Sequence, residues 1–476
     1  MDGESCLNSQ QGRKHVLILP VILHAHFAGI FRLAVQLAKR GVTVTFVAIE
    51  KHITLLKTFD EVQELGFNLV SYNDSGPAKT PGDNWTISLF LASVRDLFQP
   101  IFNKLVKDQK AGIPGPTCII GDRFLTWARD VANELNIPYY QFFSCGATFV
   151  RSLQACSKLF ADGTLAMKEE PGGQRSLAEF EGLMKISGLP ALRFGEMTNS
   201  SLGAEFVNSL GIAIGEADGV IVNTFYELEA PQIDAIRQSW MEDSRGKIPK
   251  LFLVGPLSNS ATFKDRSFVE DSVSRGTDWL QWLAGRPPKS VVYVCVGTIF
   301  RFTSQQIKDL ALALEATEQS FLWVIPRRSE GGLPPNFEAR IGEKGLIVNE
   351  WVPQLPILMH SSIGGFVTHC GWNSIIESIL SGVPMAAWPQ MHSDQFINCR
   401  YIVDVLKIAV EVRPQDYSTG LQKPEELENT VRFLMSEEGN SLRSRIQELK
   451  KKAEAAVVDG GVSKKALNDL IQSIPT

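Results

Sequence analysis

The feature that most constrains this chain is an alternation that runs along it twice. Short β-branched runs read as buried strands: HVLILP (15–20), VTVTFVAI (42–49), TCIIGD (117–122), YYQFF (139–143) and GVIVNTF (219–225). Between them lie stretches of helical period such as FAGIFRLAVQLAKRG (27–41), which ends on Lys39, Arg40 and Gly41, residues suited to a helix C-terminus. Strand–helix–strand order argues for a parallel sheet with right-handed crossovers. A polar, aperiodic segment, GPLSNSATFKDRSFVEDSVSRG (255–276), interrupts the series. The alternation then restarts with SVVYVCVG (290–297) and the helical TSQQIKDLALALEATEQ (303–319), with Thr303 or Ser304 as N-cap. FLWVIP, LIVNEW, GGFVTH and VPMAAWP follow as strands. The expectation is an α/β chain of two doubly wound parallel-sheet domains, residues 1–254 and 277–458, joined by a linker at 255–276. A terminal helix at 459–476, broken from its predecessor at Gly460-Gly461, is expected to pack back on the first domain. Ligands of such sheets sit at the carboxyl ends of the strands, so the polar residues ending each strand are the ones to weigh.

Bulk properties exclude some partners. A length of 476 residues suits two domains. The net charge of −5 leaves no basic excess for nucleic acid or anionic membrane. Seven cysteines, an odd number with no CxxC pair, read as reduced thiols and a cytoplasmic setting. The polar start MDGESCLNSQQGRK is not a signal peptide, and HVLILPVIL is too short to span a bilayer and is broken by Pro20. The expected protein is a monomer that works on small molecules.

The densest polar constellation lies in the second half. At FVTHCGWNS (366–374) an apolar strand ends at His369, Gly371 permits close backbone approach, and Asn373 and Ser374 open a helix. Helix-start amides and the positive dipole end favour phosphate, and the three polar side chains add donors. Glu377, one turn on, repels phosphate but accepts well from two vicinal hydroxyls such as those of a ribose. Together these residues describe a site for a nucleoside diphosphate. The plainer reading is a helix capped by Asn373 or Ser374, with His369 in the core. Upstream, EWVPQLPILMH offers Trp351 to stack on a base and Gln354 to read its edge or its ribose. Downstream, WPQMHSDQFIN sets Asp394 beside Gln395, a pairing suited to sugar hydroxyls, though equally to a charged helix start.

Residues 351–395, WVPQLPILMHSSIGGFVTHCGWNSIIESILSGVPMAAWPQMHSDQ, resemble the signature box of plant UDP-dependent glycosyltransferases of small molecules. VIVNTFYELE, LFLVGPL, SVVYVCVGT and FLWVIPR are similar to other segments of that family, in the same order. The resemblance implies the GT-B fold, two Rossmann-like domains facing across a cleft. It also implies a UDP-sugar as co-substrate, with no metal or other cofactor. By it, Trp351 would stack on uracil, Gln354 bind the uridine and Glu377 take the ribose hydroxyls. His369, Asn373, Ser374 and Thr298 of the VGT turn would hold the diphosphate, and Trp372, Asp394 and Gln395 would contact the sugar. A terminal glutamine resembles the glucose users of the family, as a histidine there resembles the galactose users. One departure is an extra residue between Trp388-Pro389 and Asp394-Gln395, which is expected to bulge the loop.

A transferase also needs a base. His24 and His26 follow the first strand at its carboxyl end, and histidine titrates near neutrality. His26 stands six residues after Pro20, as the catalytic histidine of the resembling family does, with Ala25 in place of its usual glycine. His24 is a pocket-wall residue or a weaker alternative base. Asp122 ends another parallel strand, so it can reach His26 and orient it, or else cap the helix LTWARDVANEL. The acceptor pocket is expected from aromatics of the first half, among them Phe27, Trp85, Phe143 and Phe149, each of which can equally be core. Flavonoids, as the family's commonest aromatic acceptors, are the first expectation. Parts of the box somewhat resemble the zeatin-glucosylating branch, and terpenoid alcohols remain open. A UDP-sugar epimerase would lack the 351–395 box, and a non-catalytic UDP-sugar-binding protein would be expected to lose His26 or Asp122. A dinucleotide oxidoreductase would need G-x-G-x-x-G after its first strand, and PVILHAHFAG lacks it.

Overall fold

The structure is a computed structural model. It describes residues 13–21, 24–72, 115–165, 167–169, 175–177, 183–184, 192–193, 204–242, 247–257, 279–297, 303–325, 332–390, 394–413 and 423–476. The chain divides into two compact units, one of Met1–Glu181, Thr198–Leu257 and Ala456–Thr476, the other of Gly182–Met197 and Ser258–Ala455. Among the described residues no helix is long and apolar enough to cross a membrane.

The first unit is built on a seven-stranded sheet. Its strands are β1 (His15–Leu19), β2 (Thr43–Ile49), β3 (Asn68–Tyr72), β4 (Cys118–Asp122), β5 (Tyr139–Phe143), β6 (Gly219–Val222) and β7 (Lys250–Leu253). They lie in the order β7-β6-β5-β4-β1-β2-β3, and every pairing is parallel. The central strands are buried throughout, which explains their continuous apolar reading. Helix α1 (His24–Ala38) makes the first crossover and lays Ile30, Leu33, Ala34 and Leu37 on Val16, Ile18, Val44 and Phe46.

Helix α2 (Ala147–Ala161) starts after Gly146, which has no side chain to cap it. Its cap comes from helix α3 (Tyr226–Glu242). There the backbone kinks at Glu229, two residues before Pro231, and the buried carboxylate accepts from Ala147 N and Thr148 N, both at 2.8 Å, and from Thr148 Oγ1 at 2.5 Å.

The second unit repeats the plan with six parallel strands: β8 (Val291–Cys295), β9 (Ser320–Val324), β10 (Gly345–Val348), β11 (Ile363–Thr368), β12 (Met385–Ala387) and β13 (Ala409–Glu411). The order is β10-β9-β8-β11-β12-β13. Helix α4 (Ser304–Thr317) opens on a capping box: Thr303 Oγ1 accepts from Gln306 N at 3.2 Å and Gln306 Oε1 accepts from Thr303 N at 2.9 Å.

Helix Val462–Ser473 belongs to the first unit. Its Leu467 and Leu470, with Ile474 beyond it, join the core that holds Tyr140, Phe252 and Val254. Lys14 Nζ donates to Ile471 O at 2.5 Å, and Tyr140 Oη donates to Ser473 O at 2.9 Å. The preceding helix ends at Val457, and Gly460 takes the positive φ (82°) of the break.

In each sheet the chain winds outward from its first strand and then returns to the other side. The reversal falls between β1 and β4 in one unit and between β8 and β11 in the other. Neighbouring crossovers leave in opposite directions there, so a crevice opens at the carboxyl edge. Register aligns the exits, with Leu19 opposite Gly121 and Cys295 opposite Thr368.

Candidate active site

In the first unit the reversal point holds a histidine–aspartate pair. Helix α1 begins at His24, three residues earlier than its periodicity indicates, so His26 stands in its first turn. His26 Nδ1 lies 2.8 Å from Asp122 Oδ2; the imidazole is 12% exposed and the carboxylate fully buried. The second carboxylate oxygen accepts from Phe124 N at 3.1 Å, so both oxygens are held. Asp122 does not cap the helix that follows: Ala128–Glu134 starts without a side-chain cap. Phe124 also stacks on the imidazole, with centroids 4.8 Å apart and planes 21° apart. With Nδ1 turned to the carboxylate, Nε2 is the nitrogen available to take a proton from a hydroxyl.

The aromatic candidates of this unit are placed differently. Phe27 packs into the core against Phe46 and stacks on His52. Phe143 is buried within β5, and Phe149 is buried on α2 with the Arg123 guanidinium over its ring. These three turn little surface toward a ligand. Trp85 and the side chain of His24 lie outside the described residues.

In the second unit the chain leaves β11 through His369, Cys370 and Gly371 and enters helix α6 (Trp372–Ser381). Cys370 holds a positive φ of 63°, a strained setting for a residue with a Cβ. The N-cap is Gly371, so no side chain caps this end; Asn373 and Ser374 fall in the first turn, not at the cap. His369 wedges between the β8 exit and this turn. A Cβ on Gly297 would stand 2.8 Å from His369 Nε2, and one on Gly371 would run into the same ring. Burial lowers the His369 pKa to about 4, against the opposing pull of Asp394 and of the Cys295 backbone. The imidazole is therefore neutral at pH 7.

Gln354 opens helix α5 (Gln354–Leu358), and its Nε2 donates to Ser374 Oγ at 3.0 Å and to Glu377 Oε2 at 2.8 Å. Three residues read separately from the sequence thus form one cluster. Trp351, just before it, is 56% exposed, while Trp372 is 2% exposed, so its indole is packed inside the fold. Asp394 and Gln395 open helix α7 (Asp394–Arg400). Gln395 Oε1 accepts from Gln390 N at 3.0 Å, across the loop that carries the extra residue. Thr298 and residues 391–393 of that loop lie outside the described residues.

Two positions escaped the reading of the sequence. Asn398 Nδ2 donates to Asp394 Oδ2 at 3.0 Å and to Cys370 O at 2.9 Å, tying α7 to the His369 turn. Its signal is the i,i+4 spacing from Asp394. Arg123 is the other, a charge standing beside Asp122 in an otherwise apolar turn.

A repeated doubly wound sheet, a histidine–aspartate dyad at one reversal point and an uncapped helix start at the other define a class: nucleotide-dependent group-transfer enzymes of two-sheet architecture. Comparison with known proteins gives the family. The family model of UDP-glucoronosyl and UDP-glucosyl transferases matches residues 279–442. A scopoletin glucosyltransferase of Nicotiana tabacum is 30% identical over 98% of this chain and 98% of its own length. A UDP-glucose flavonoid 3-O-glucosyltransferase of Fragaria ananassa is 32% identical over 99% of this chain and 97% of its own. Among solved structures, Phytolacca americana UGT2 complexed with UDP-2fluoro-glucose and pterostilbene superposes with a TM-score of 0.80 at 26% identity, over 97% of this chain and 99% of that one. The chain belongs to the plant family 1 UDP-glycosyltransferases, and its fold is GT-B.

Proposed function

We propose that this enzyme is an inverting, metal-independent UDP-glucose O-glucosyltransferase of small hydroxylated aromatic acceptors, flavonoids first, with zeatin-type cytokinins and terpenoid alcohols as the next acceptors to test. The observation that carries the chemistry is the 2.8 Å contact between His26 and the buried Asp122 at the reversal point of the first sheet. Asp122 fixes the tautomer that leaves Nε2 as base and stabilises the imidazolium that forms. Nε2 takes the acceptor hydroxyl proton, the oxygen forms a bond to the anomeric carbon, and the bond from that carbon to UDP breaks, UDP leaving with the electron pair. One displacement inverts the anomeric centre.

In the second unit, the first-turn amides of α6, with Asn373 and Ser374, receive the charge that develops on the diphosphate. His369, neutral at pH 7, adds a hydrogen bond without adding charge, and Thr298 belongs to the same proposed group. Exposed Trp351 offers a stacking face for uracil, and the Gln354–Glu377 pair opens to take uridine and its ribose hydroxyls. The Trp372 backbone, Asp394 and Gln395 address the sugar. The scopoletin and flavonoid glucosyltransferases among its relatives support an aromatic acceptor.

The test is UDP release from UDP-glucose and from UDP-galactose against flavonols, flavones, coumarins, zeatin and terpenoid alcohols, with a chelator present. UDP-glucose and an aromatic acceptor should give turnover, and His26→Ala should lower kcat by about 10²–10⁴-fold. Full activity in His26→Ala would remove the base from this account. Loss of turnover on chelation would remove the metal-independent assignment.

A further inference from the structure

Arg123 follows the aspartate of the dyad and is 3% exposed. Its guanidinium carbon lies 4.8 Å from the ring centroid of Phe124 and 4.8 Å from that of Phe149. Neither Nε nor Nη1 has a hydrogen-bond partner, and no carboxylate pairs with the group among the described residues. Phe124 is also the ring that stacks on His26, so two successive 4.8 Å contacts lead from the imidazole to the guanidinium. Phe206 packs on the same ring at 5.6 Å.

A guanidinium removed from water without an anion is costly, and the faces of two phenyl rings recover only part of that cost. Arginine also stays charged in any protein, so this site cannot relax by losing its proton. A positive charge held in this way, beside the group that handles the acceptor hydroxyl, is a receptor for a negative one. The planar fork of Nε and the terminal nitrogens matches a carboxylate in two-point contact.

We propose that Arg123 binds a carboxylate on the acceptor, so that the enzyme prefers hydroxylated aromatic acids to their neutral counterparts. The inference rests on His26 being the acceptor-side base. It narrows the acceptor class: the carboxylate meets the guanidinium, and the phenolic hydroxyl meets His26.

The experiment uses matched acceptors that differ only in charge, 4-hydroxycinnamic acid and its methyl ester, with saturating UDP-glucose. The product is read as the alkali-stable phenolic glucoside, which separates it from a sugar ester of the acid. The wild type should favour the acid by about tenfold or more in kcat/KM, carried mostly by KM, as a charge-assisted contact would give. Arg123→Met should bring the acid-to-ester ratio close to one, and Arg123→Lys, which keeps the charge but loses the fork, should fall between. A wild-type ratio at or below one overturns the proposal, as does a ratio that survives in Arg123→Met. Where Arg123→Met does not fold, the wild-type and Arg123→Lys ratios decide. Equilibrium binding of acid and ester in the presence of UDP gives the same ratio without turnover. Failure of the base assignment would therefore show as absent catalysis with the binding preference intact, and failure of this proposal as absent preference.

Discussion

His369 ends β11 against two glycines that leave room for its ring, and burial holds its pKa near 4 against an ordinary value of 6.5. Below pH 6.5 the unfolded chain takes up a proton here that the folded chain refuses. Folding stability therefore falls as pH drops from about 6.5 to 4, by on the order of 3 kcal/mol for the whole shift. Urea melts of the wild type and of His369→Asn between pH 7 and pH 4 test this: the wild type should lose stability faster than the variant through that window. Parallel curves would mean that the ring is not held neutral. His369 was legible in the sequence as a polar strand end, but its charge state was not, because that depends on what surrounds the ring. The same holds for Gln354, Ser374 and Glu377. Each was assigned a separate task, yet here Gln354 binds the other two. Arg123 stood in plain view beside Asp122, and only its burial between Phe124 and Phe149 sets it apart from an ordinary surface arginine.

Elements were easier to read than their ends. Apolar runs became ten of the thirteen strands of the two sheets, because a parallel strand covered on both faces has no polar side to show, whereas β3, β7 and β13 were not read as strands. Thr303 or Ser304 announced the start of α4, and the fold makes Thr303 the cap, with Gln306 three residues on completing a capping box that the sequence reading did not name. The start of α1 was misjudged by three residues, as nothing apolar marks its first turn. The cap of α2 was not legible at all, for its carboxylate comes from Glu229, some 80 positions away along the chain. Glu229→Ala should leave two amides and the Thr148 hydroxyl without their acceptor inside the fold. A loss of roughly 3 kcal/mol is expected from the penalty for unmet buried donors. Native-state hydrogen exchange would localise it: amides at the start of α2 should open early, while those of β8 and β11 keep their protection. Unchanged exchange at Ala147 and Thr148 would show that water or another group caps the helix equally well.

At the scale of the molecule, the two sheets share one winding order, and in each the candidate chemistry sits where the order reverses. His26, Asp122 and the 366–374 turn stood out in the sequence as polar residues at the carboxyl ends of strands, whereas the reversal points needed the strand order of the folded sheets. The helix Val462–Ser473 contributes to the first unit through Leu467 and Leu470. Leu470→Ala should destabilise that unit by about 2–5 kcal/mol, the usual range for a buried leucine. Calorimetry with and without UDP tests the assignment: the variant should lower the transition of the first unit while UDP still raises that of the second. A drop in UDP affinity instead would tie this helix to the nucleotide site. The same helix sets a schedule for synthesis. Lys14 is made long before its partner Ile471, which lies 457 positions further along the chain. The sheet of the first unit must therefore wait, with a gap in its core beside Tyr140 and Phe252, until the whole of the other unit has been translated. During that interval the open apolar face is what chaperones would meet.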